Sequence, residues 1–294
     1  MADQCRPLRV LILGLGDNFG RVVTTNVQCW GYEVIVQPAA LRIETDQDAH
    51  GQSQVFEGDI LLYDLDTSYR PLMIGKDSLV VQRGLLASDF LSDAEDQWPR
   101  ARLTIALSSR SVSRTMLEQI GAIALLQKPF EMGRLQRYLR VLERLLRPNT
   151  AEETQLRSPK GESVRVLVVD DDMDIAHAIR QCLLYESGYE VAVAYDGLEA
   201  LEQCLEWHPQ CIVTDLIMPW MNGYQVMRCL SVGAQQIMPA IVVMSALNQL
   251  ERPVNRAYLD GKSVMYVDKP FHIDHLLSAI RQACACKYLD DTEW

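Results

Sequence analysis

The chain has no apolar run approaching the ~18 residues that a membrane span requires, so no transmembrane helix is expected. Its first residues place Asp3 ahead of a short apolar strand and offer no small-residue cleavage site, so no secretory leader is expected either. None of its eight cysteines forms a CxxC pair, which removes the commonest zinc and redox motifs. Cys284 and Cys286 with His272 and His275 fall along one predicted helix, too extended for a single tetrahedral site, so the thiols are read as small apolar fillers. Basic charge is also short. The net charge is −11, and residues 164–294 carry nine Lys and Arg against eighteen Asp and Glu. Such a surface repels phosphate backbones, which argues against nucleic acid as a partner. These absences leave a cytoplasmic protein whose 294 residues suit about two domains.

What the sequence does contain is a series of short β-branched runs, each followed at once by a polar residue. They are VRVLVVDDD (164–172), CIVTDLIMPWMNG (211–223), IVVMSAL (241–247) and MYVDKPF (265–271). In a doubly wound sheet the carboxyl ends of the strands form the ligand crevice, so Asp170, Asp171, Asp215, Ser245 and Lys269 should meet there. Three adjacent carboxylates raise one another's pKa unless a cation balances them, and Mg²⁺ with oxygen ligands serves that purpose. Lys269 adds a point charge and Ser245 a hydroxyl donor. The set suits a phosphoryl group whose charge spreads over its oxygens, with Asp215 as the nucleophile.

These motifs resemble the receiver domain of two-component response regulators over nearly all of 164–287. The resemblance implies Asp215 as phosphoacceptor, Asp171 as direct Mg²⁺ ligand, Asp170 as a ligand acting partly through water, and the backbone carbonyl of Ile217 as a further ligand. It implies that Ser245 hydrogen-bonds the phosphoryl group, that Lys269 pairs with it, and that Tyr266 is the aromatic switch. Lys269-Pro270 is where the family has a cis peptide. The implied activity is that of a phosphorelay response regulator, a phosphoacceptor rather than an enzyme, served by a sensor histidine kinase or a histidine phosphotransfer protein. No cofactor beyond Mg²⁺ is implied. The positions two after the phosphoacceptor and two after the hydroxyl, here Ile217 and Leu247, flank the path of attacking water, so a long-lived phosphoryl group is expected.

The chain also repeats itself. GYEVIV (31–36) returns as GYEVAV (188–193), LRVLILG (8–14) parallels VRVLVVD (164–170), DILLYDLD (59–66) parallels CIVTDLIM (211–218), and LLQKPF (125–130) parallels YVDKPF (266–271). Two flavodoxin-like (βα)5 domains of the α/β class, each a doubly wound parallel sheet, are therefore expected in tandem at 1–147 and 164–294, joined by a polar linker at 148–163. In the second, strands are expected at 164–169, 190–194, 211–214, 240–244 and 264–267, with helices at 174–187, 197–207, 223–230, 250–259 and 272–287. In the first, strands are expected near 8–13, 32–37, 59–63, 102–107 and 122–126, with helices near 17–30, 78–91, 112–119 and 131–147.

The first copy keeps Asp64, Ser108 and Lys128-Pro129 but has Gly14 and Leu15 where the acidic pair belongs, which makes it a pseudo-receiver that should hold Mg²⁺ poorly. Asp17 and Asp66 lie nearby in sequence without occupying the metal position. A competing reading takes LGLGDNFG (13–20) as a dinucleotide-binding turn. The spacing is G-x-G-x-x-x-G, and Gln37 ends the second strand where a ribose-binding acid would stand, so the turn reading is preferred.

The last helix of the first copy separates Met132, Leu135, Tyr138, Leu139, Leu142, Leu145 and Leu146 from Arg134, Arg137, Arg140, Arg144 and Arg147. The Arg face is either solvated or a docking surface for acidic protein, including a second copy in a homodimer. With seven residues after Lys287, no DNA-binding output domain is expected. The alternative to a phosphorelay switch is a constitutive adaptor of two receiver-like modules with vestigial phosphorylation.

Overall fold

The computed structural model describes residues 6–15, 18–37, 57–68, 100–113, 116–117, 120–147, 163–186, 188–232, 238–246 and 264–288. The expected helices at 78–91 and 250–259, the linker at 148–162 and Leu247 lie outside the described residues, as does half of the helix expected at 112–119. The chain divides into two compact units, Met1–Arg140 and Val141–Trp294, and each contains one complete sheet.

In the first half, the elements are β1 (Arg9–Leu13), α1 (Asn18–Cys29), β2 (Glu33–Gln37), β3 (Glu57–Asp64), α2 (Leu65–Ser68), β4 (Arg100–Ser108), β5 (Ala122–Gln127) and α3 (Met132–Leu146). The sheet is parallel in the order β2-β1-β3-β4-β5. Its strands read as near-continuous apolar runs because helix-covered parallel strands bury both faces. Val10, Ile12, Ile60, Leu62, Leu103, Ile105 and Leu107 are buried, and Leu11, Leu13 and Leu61 form a separate cluster with Ile35. On α3 the expected apolar face is buried at Leu135, Tyr138, Leu139 and Leu142, while Arg137, Arg140, Arg144 and Arg147 are exposed. Arg134 is half-buried rather than part of the exposed row.

The second half repeats the plan with β6 (Val164–Val169), α4 (Met173–Tyr185), β7 (Tyr189–Ala194), α5 (Gly197–Trp207), β8 (Cys211–Asp215), α6 (Gly223–Val232), β9 (Ala240–Ser245), β10 (Val264–Asp268) and α7 (Ile273–Tyr288). The strand order β10-β9-β8-β6-β7 is the same arrangement met from the other edge. Both sheets therefore follow the flavodoxin-like 2-1-3-4-5 order, in which the first strand is central and the connection reverses beside it.

Alternation along β6 sends Val166 and Val168 into a core with Ala176, Ile179 and Leu183 of α4 and Leu276, Leu277 and Ile280 of α7. On the opposite side α5 packs on β6 and β7 and against α6. Each fully buried aliphatic side chain of this kind contributes about 1.5–3 kcal/mol. The helix α4 begins where Asp172 accepts hydrogen bonds from the amides of Asp174 (2.9 Å) and Ile175 (3.2 Å). The third aspartate of the DDD run is thereby committed to capping.

Candidate functional site

The register of the sheet assembles the second domain's site. Val169 pairs with Thr214 across β6 and β8, so the residues that follow, Asp170 and Asp215, leave neighbouring strands side by side. On the far side of β8, Asp215 pairs with Met244, and Ser245 pairs with Asp268 one residue before Lys269. Ligand oxygens of Asp170, Asp171 and Asp215 all lie within 4.8 Å of one another. Among the described residues this is the only cluster of three or more acidic, His or Cys side chains so placed.

Lys269 reaches into the cluster. Its Nζ lies 2.8 Å from Asp170 Oδ2 and 3.1 Å from Asp215 Oδ2. Burial works to lower the lysine pKa, but the hydrogen bond to Asp170 and the charges of Asp215 and Asp170 outweigh it, and Lys269 is held above its ordinary 10.5. One cation against three carboxylates leaves an excess of negative charge at an oxygen-rich, partly open position. That donor set fits a hard divalent cation with remaining positions for water and phosphate oxygens. The residues that could hold Mg²⁺ are Asp170, Asp171 and Asp215.

Backbone groups fix the Asp215 carboxylate. Asp215 Oδ1 accepts from the amide of Leu216 at 2.6 Å and of Ile217 at 3.4 Å, which aims the other oxygen towards Lys269. Thr214 Oγ1 donates to the carbonyl of Asp215 at 2.9 Å. Gly223 opens α6 against the same carbonyl, and a Cβ there would stand 2.6 Å from it. Ser245 ends β9 with 1% exposure, and its carbonyl accepts the Lys269 amide at 2.8 Å. The Ile217 side chain points outward with 52% exposure. Tyr266 is exposed on β10, with its hydroxyl 3.4 Å from that of Tyr224 on α6. Lys269-Pro270 is cis, as is Lys128-Pro129 in the first domain.

The corresponding end of the first sheet is organised differently. Leu15 is buried where an acid would stand, and Gly20 packs so closely on it that a Cβ would lie 2.7 Å from the Leu15 carbonyl oxygen. Gly14 has φ +90°, which explains it as a turn residue. The described glycines of LGLGDNFG thus serve chain geometry, while Gly16 and Asp17 lie outside the described residues. The ring of Phe19 lies under Lys128, 5.5 Å from its Nζ, and meets Phe130 edge-on.

Asp66 is the functional candidate that reasoning from sequence missed. Its carboxylate accepts from Ser108 Oγ at 3.1 Å, from the Ser109 amide at 2.8 and 3.0 Å, and from Lys128 Nζ at 3.1 Å. The available signal was its place two residues after Asp64.

Comparison with known proteins gives the second domain a family. The description "Response regulator receiver domain" matches residues 166–281. Residues 166–281 are a receiver domain. The region is similar to the response regulator MprA of Mycobacterium ulcerans, 36% identical over 131 residues that cover 45% of this chain and 54% of the relative. MprA of Mycobacterium tuberculosis is 38% identical over 119 residues, covering 40% and 50%. The chain spans about half the length of these curated relatives. Among solved structures, the Francisella response regulator 1452 receiver domain is 31% identical, with 42% of this chain and 99% of that chain covered and a TM-score of 0.37. The response regulator domain of Thermotoga maritima CheB is 27% identical, with 42% and 97% covered and the same TM-score. Receiver domains are signalling modules of two-component systems and generally use Mg²⁺ for phosphorylation. No helix among the described residues is long and apolar enough to cross a membrane.

Proposed function

We propose that residues 164–294 act as the phosphoaccepting receiver of a phosphorelay, and that residues 1–147 form a degenerate receiver joined to it through 148–163. The observation that carries this reading is the convergence of Asp170, Asp171 and Asp215 within 4.8 Å, with Lys269 paired to two of the three. Asp215 Oδ2 attacks the phosphorus of a phosphohistidine on a sensor kinase or histidine phosphotransfer protein. The P–N bond breaks with its electron pair returning to the imidazole nitrogen, and an acyl phosphate forms.

Asp170, Asp171 and Asp215 would hold Mg²⁺, which would supply positive charge to the phosphoryl oxygens. Lys269 and Ser245 meet the same oxygens from the protein side. The amides of Leu216 and Ile217 orient the nucleophile beforehand, so little reorganisation is required at the moment of transfer. Around this edge Met173, Ile217 and Trp220 are exposed apolar groups, a rim suited to contact with a partner protein. Tyr266, already exposed and adjacent to Tyr224, supplies the group whose reorientation alters that surface.

The test is phosphoryl incorporation from acetyl phosphate or a phosphorylated kinase. One acid-labile group per chain is expected, dependent on Mg²⁺ and absent in Asp215→Asn. Label that survives this substitution, or that maps to Asp64, overturns the reading. The adaptor alternative finds support in the first domain alone, where Gly14 and Leu15 stand at the positions of the acidic pair. Absence of any incorporation into the full chain would favour it for both domains.

A further inference from the structure

The two domains answer the same electrostatic problem in different ways. The offset of 151 residues that carries Asp64 to Asp215 also carries Asp66 to Ile217. At that position the second domain has an exposed aliphatic side chain, whereas the first has a carboxylate turned onto polar donors. Asp66 Oδ1 takes the Ser108 hydroxyl at 3.1 Å and the Ser109 amide at 3.0 Å, and Oδ2 takes the same amide at 2.8 Å and Lys128 Nζ at 3.1 Å.

The donors are themselves held. Ser108 Oγ accepts from the Arg110 amide at 3.1 Å, so its proton is directed to Asp66. Lys128 is anchored at 2.6 Å to Asp64, which is 2% exposed and also accepts the Asp66 amide at 3.0 Å. A hydroxyl, an amide and an ammonium converging on two anionic oxygens make a receptor for an oxyanion.

We infer that Ser108, Ser109 and Lys128 form an oxyanion site in the first domain that is filled from within by the chain's own Asp66, which keeps this domain in a ligand-engaged arrangement without any phosphoryl donor. The carboxylate is tethered two residues from Asp64. An external phosphate or phosphoryl oxygen would have to displace a group held at high effective concentration. The lysine that would meet such a ligand is already shared between two carboxylates and stacked over Phe19. On the reading of residues 1–147 as a degenerate receiver, the oxyanion position of this domain is therefore occupied by its own sequence rather than by a transferred phosphoryl group.

The experiment follows the Ser109 amide by NMR in the full-length, isotope-labelled chain, with inorganic phosphate as the probe. In the wild type the resonance should not move as phosphate is added. In Asp66→Ala it should shift upfield and exchange with solvent about tenfold faster, in keeping with loss of a charge-assisted hydrogen bond. Phosphate should then return it saturably towards the wild-type position. Asp66→Asn keeps the shape and an acceptor oxygen but loses the charge, and should show the same changes in reduced form, which decides the matter should the alanine variant fail to fold. Asp215→Asn should leave the Ser109 behaviour as in the wild type, so this result stands apart from the phosphorelay test. A Ser109 amide indifferent to both Asp66 substitutions overturns the inference. So does a wild-type amide that phosphate shifts as readily as in the variants, or variants in which phosphate restores nothing.

Discussion

Lys269 holds Asp170, 99 residues earlier in the chain, through a 2.8 Å ion pair whose acidic member is 1% exposed. Lys269→Met strands that carboxylate beside Asp215 without its cation. Breaking a buried pair from one side costs about 3–5 kcal/mol, and the 19% exposure of the lysine places the loss towards the lower end. Urea unfolding in EDTA should show it, with part of the loss recovered when Mg²⁺ is added. Equal stability of variant and wild type in EDTA would count against the pair.

Asp171 is exposed and adds like charge to the cluster, so its contribution to the metal-free fold is repulsive. Asp171→Asn should raise the melting temperature in EDTA. It should also weaken the gain that Mg²⁺ gives the wild type, which for a single site at a hundred times its Kd is about 2.7 kcal/mol. Thermal melts with and without metal check both signs, and an unaltered Mg²⁺ gain would remove Asp171 from the ligand set.

The Ile217 side chain offers a water no hydrogen bond beside Asp215, the proposed phosphoacceptor, although it is 52% exposed. Ile217→Asn should shorten the lifetime of phosphorylated protein severalfold by helping to position the attacking water. Decay of the acid-labile group after donor removal measures this. A lifetime unchanged or lengthened would show that this position does not govern hydrolysis.

Acid should weaken the first domain through Asp66. Burial raises its pKa, but the contacts with Lys128, Ser109 and Ser108 prevail and hold it below its ordinary 3.8. A depressed folded pKa means that the stabilisation is fully present above 3.8 and is lost as pH falls through the folded value. The stability difference between wild type and Asp66→Asn should accordingly be constant at neutral pH and shrink below the ordinary carboxylate range. Denaturant titrations across that window would contradict the assignment if the difference grew on acidification.

Gly223→Ala places a Cβ 2.6 Å from the Asp215 carbonyl, a backbone atom that cannot swing aside. Overpacking of this kind costs about 1–3 kcal/mol. The displacement acts on Asp215, the proposed phosphoacceptor, so phosphorylation by a small donor should slow as stability falls. A stable variant with an unchanged rate would show that the close approach is relieved elsewhere.

Much of the second domain was legible because its strands are β-branched runs ended by charged or hydroxyl residues. The limits of β6 and α5 are those expected, and the carboxylates and Lys269 follow their strands in the order the motifs imply. Helix ends were less legible, since α4 begins one residue early at Met173 under the Asp172 cap. In the first domain the five strands were readable as apolar runs, but the short helix Leu65–Ser68 was not, a single turn being too brief to show a period. The role of Asp66 was hidden for another reason. Its partners stand 42, 43 and 62 residues away, and only the folded sheet brings them together.

The pairing of Val169 with Thr214 has a consequence for how this protein can change over time. Parallel neighbours advance about 3.3 Å per residue and turn their side chains to the opposite face at each step. Deleting one residue from β6 or β8 would therefore both move one carboxylate out of reach of the other and send the strand's apolar side chains to opposite faces of the sheet. The spacing of the charges is guarded by the same register that packs the interior. Insertions and deletions are thus barred from these two strands, and diversification at this edge must proceed by exchange of single side chains.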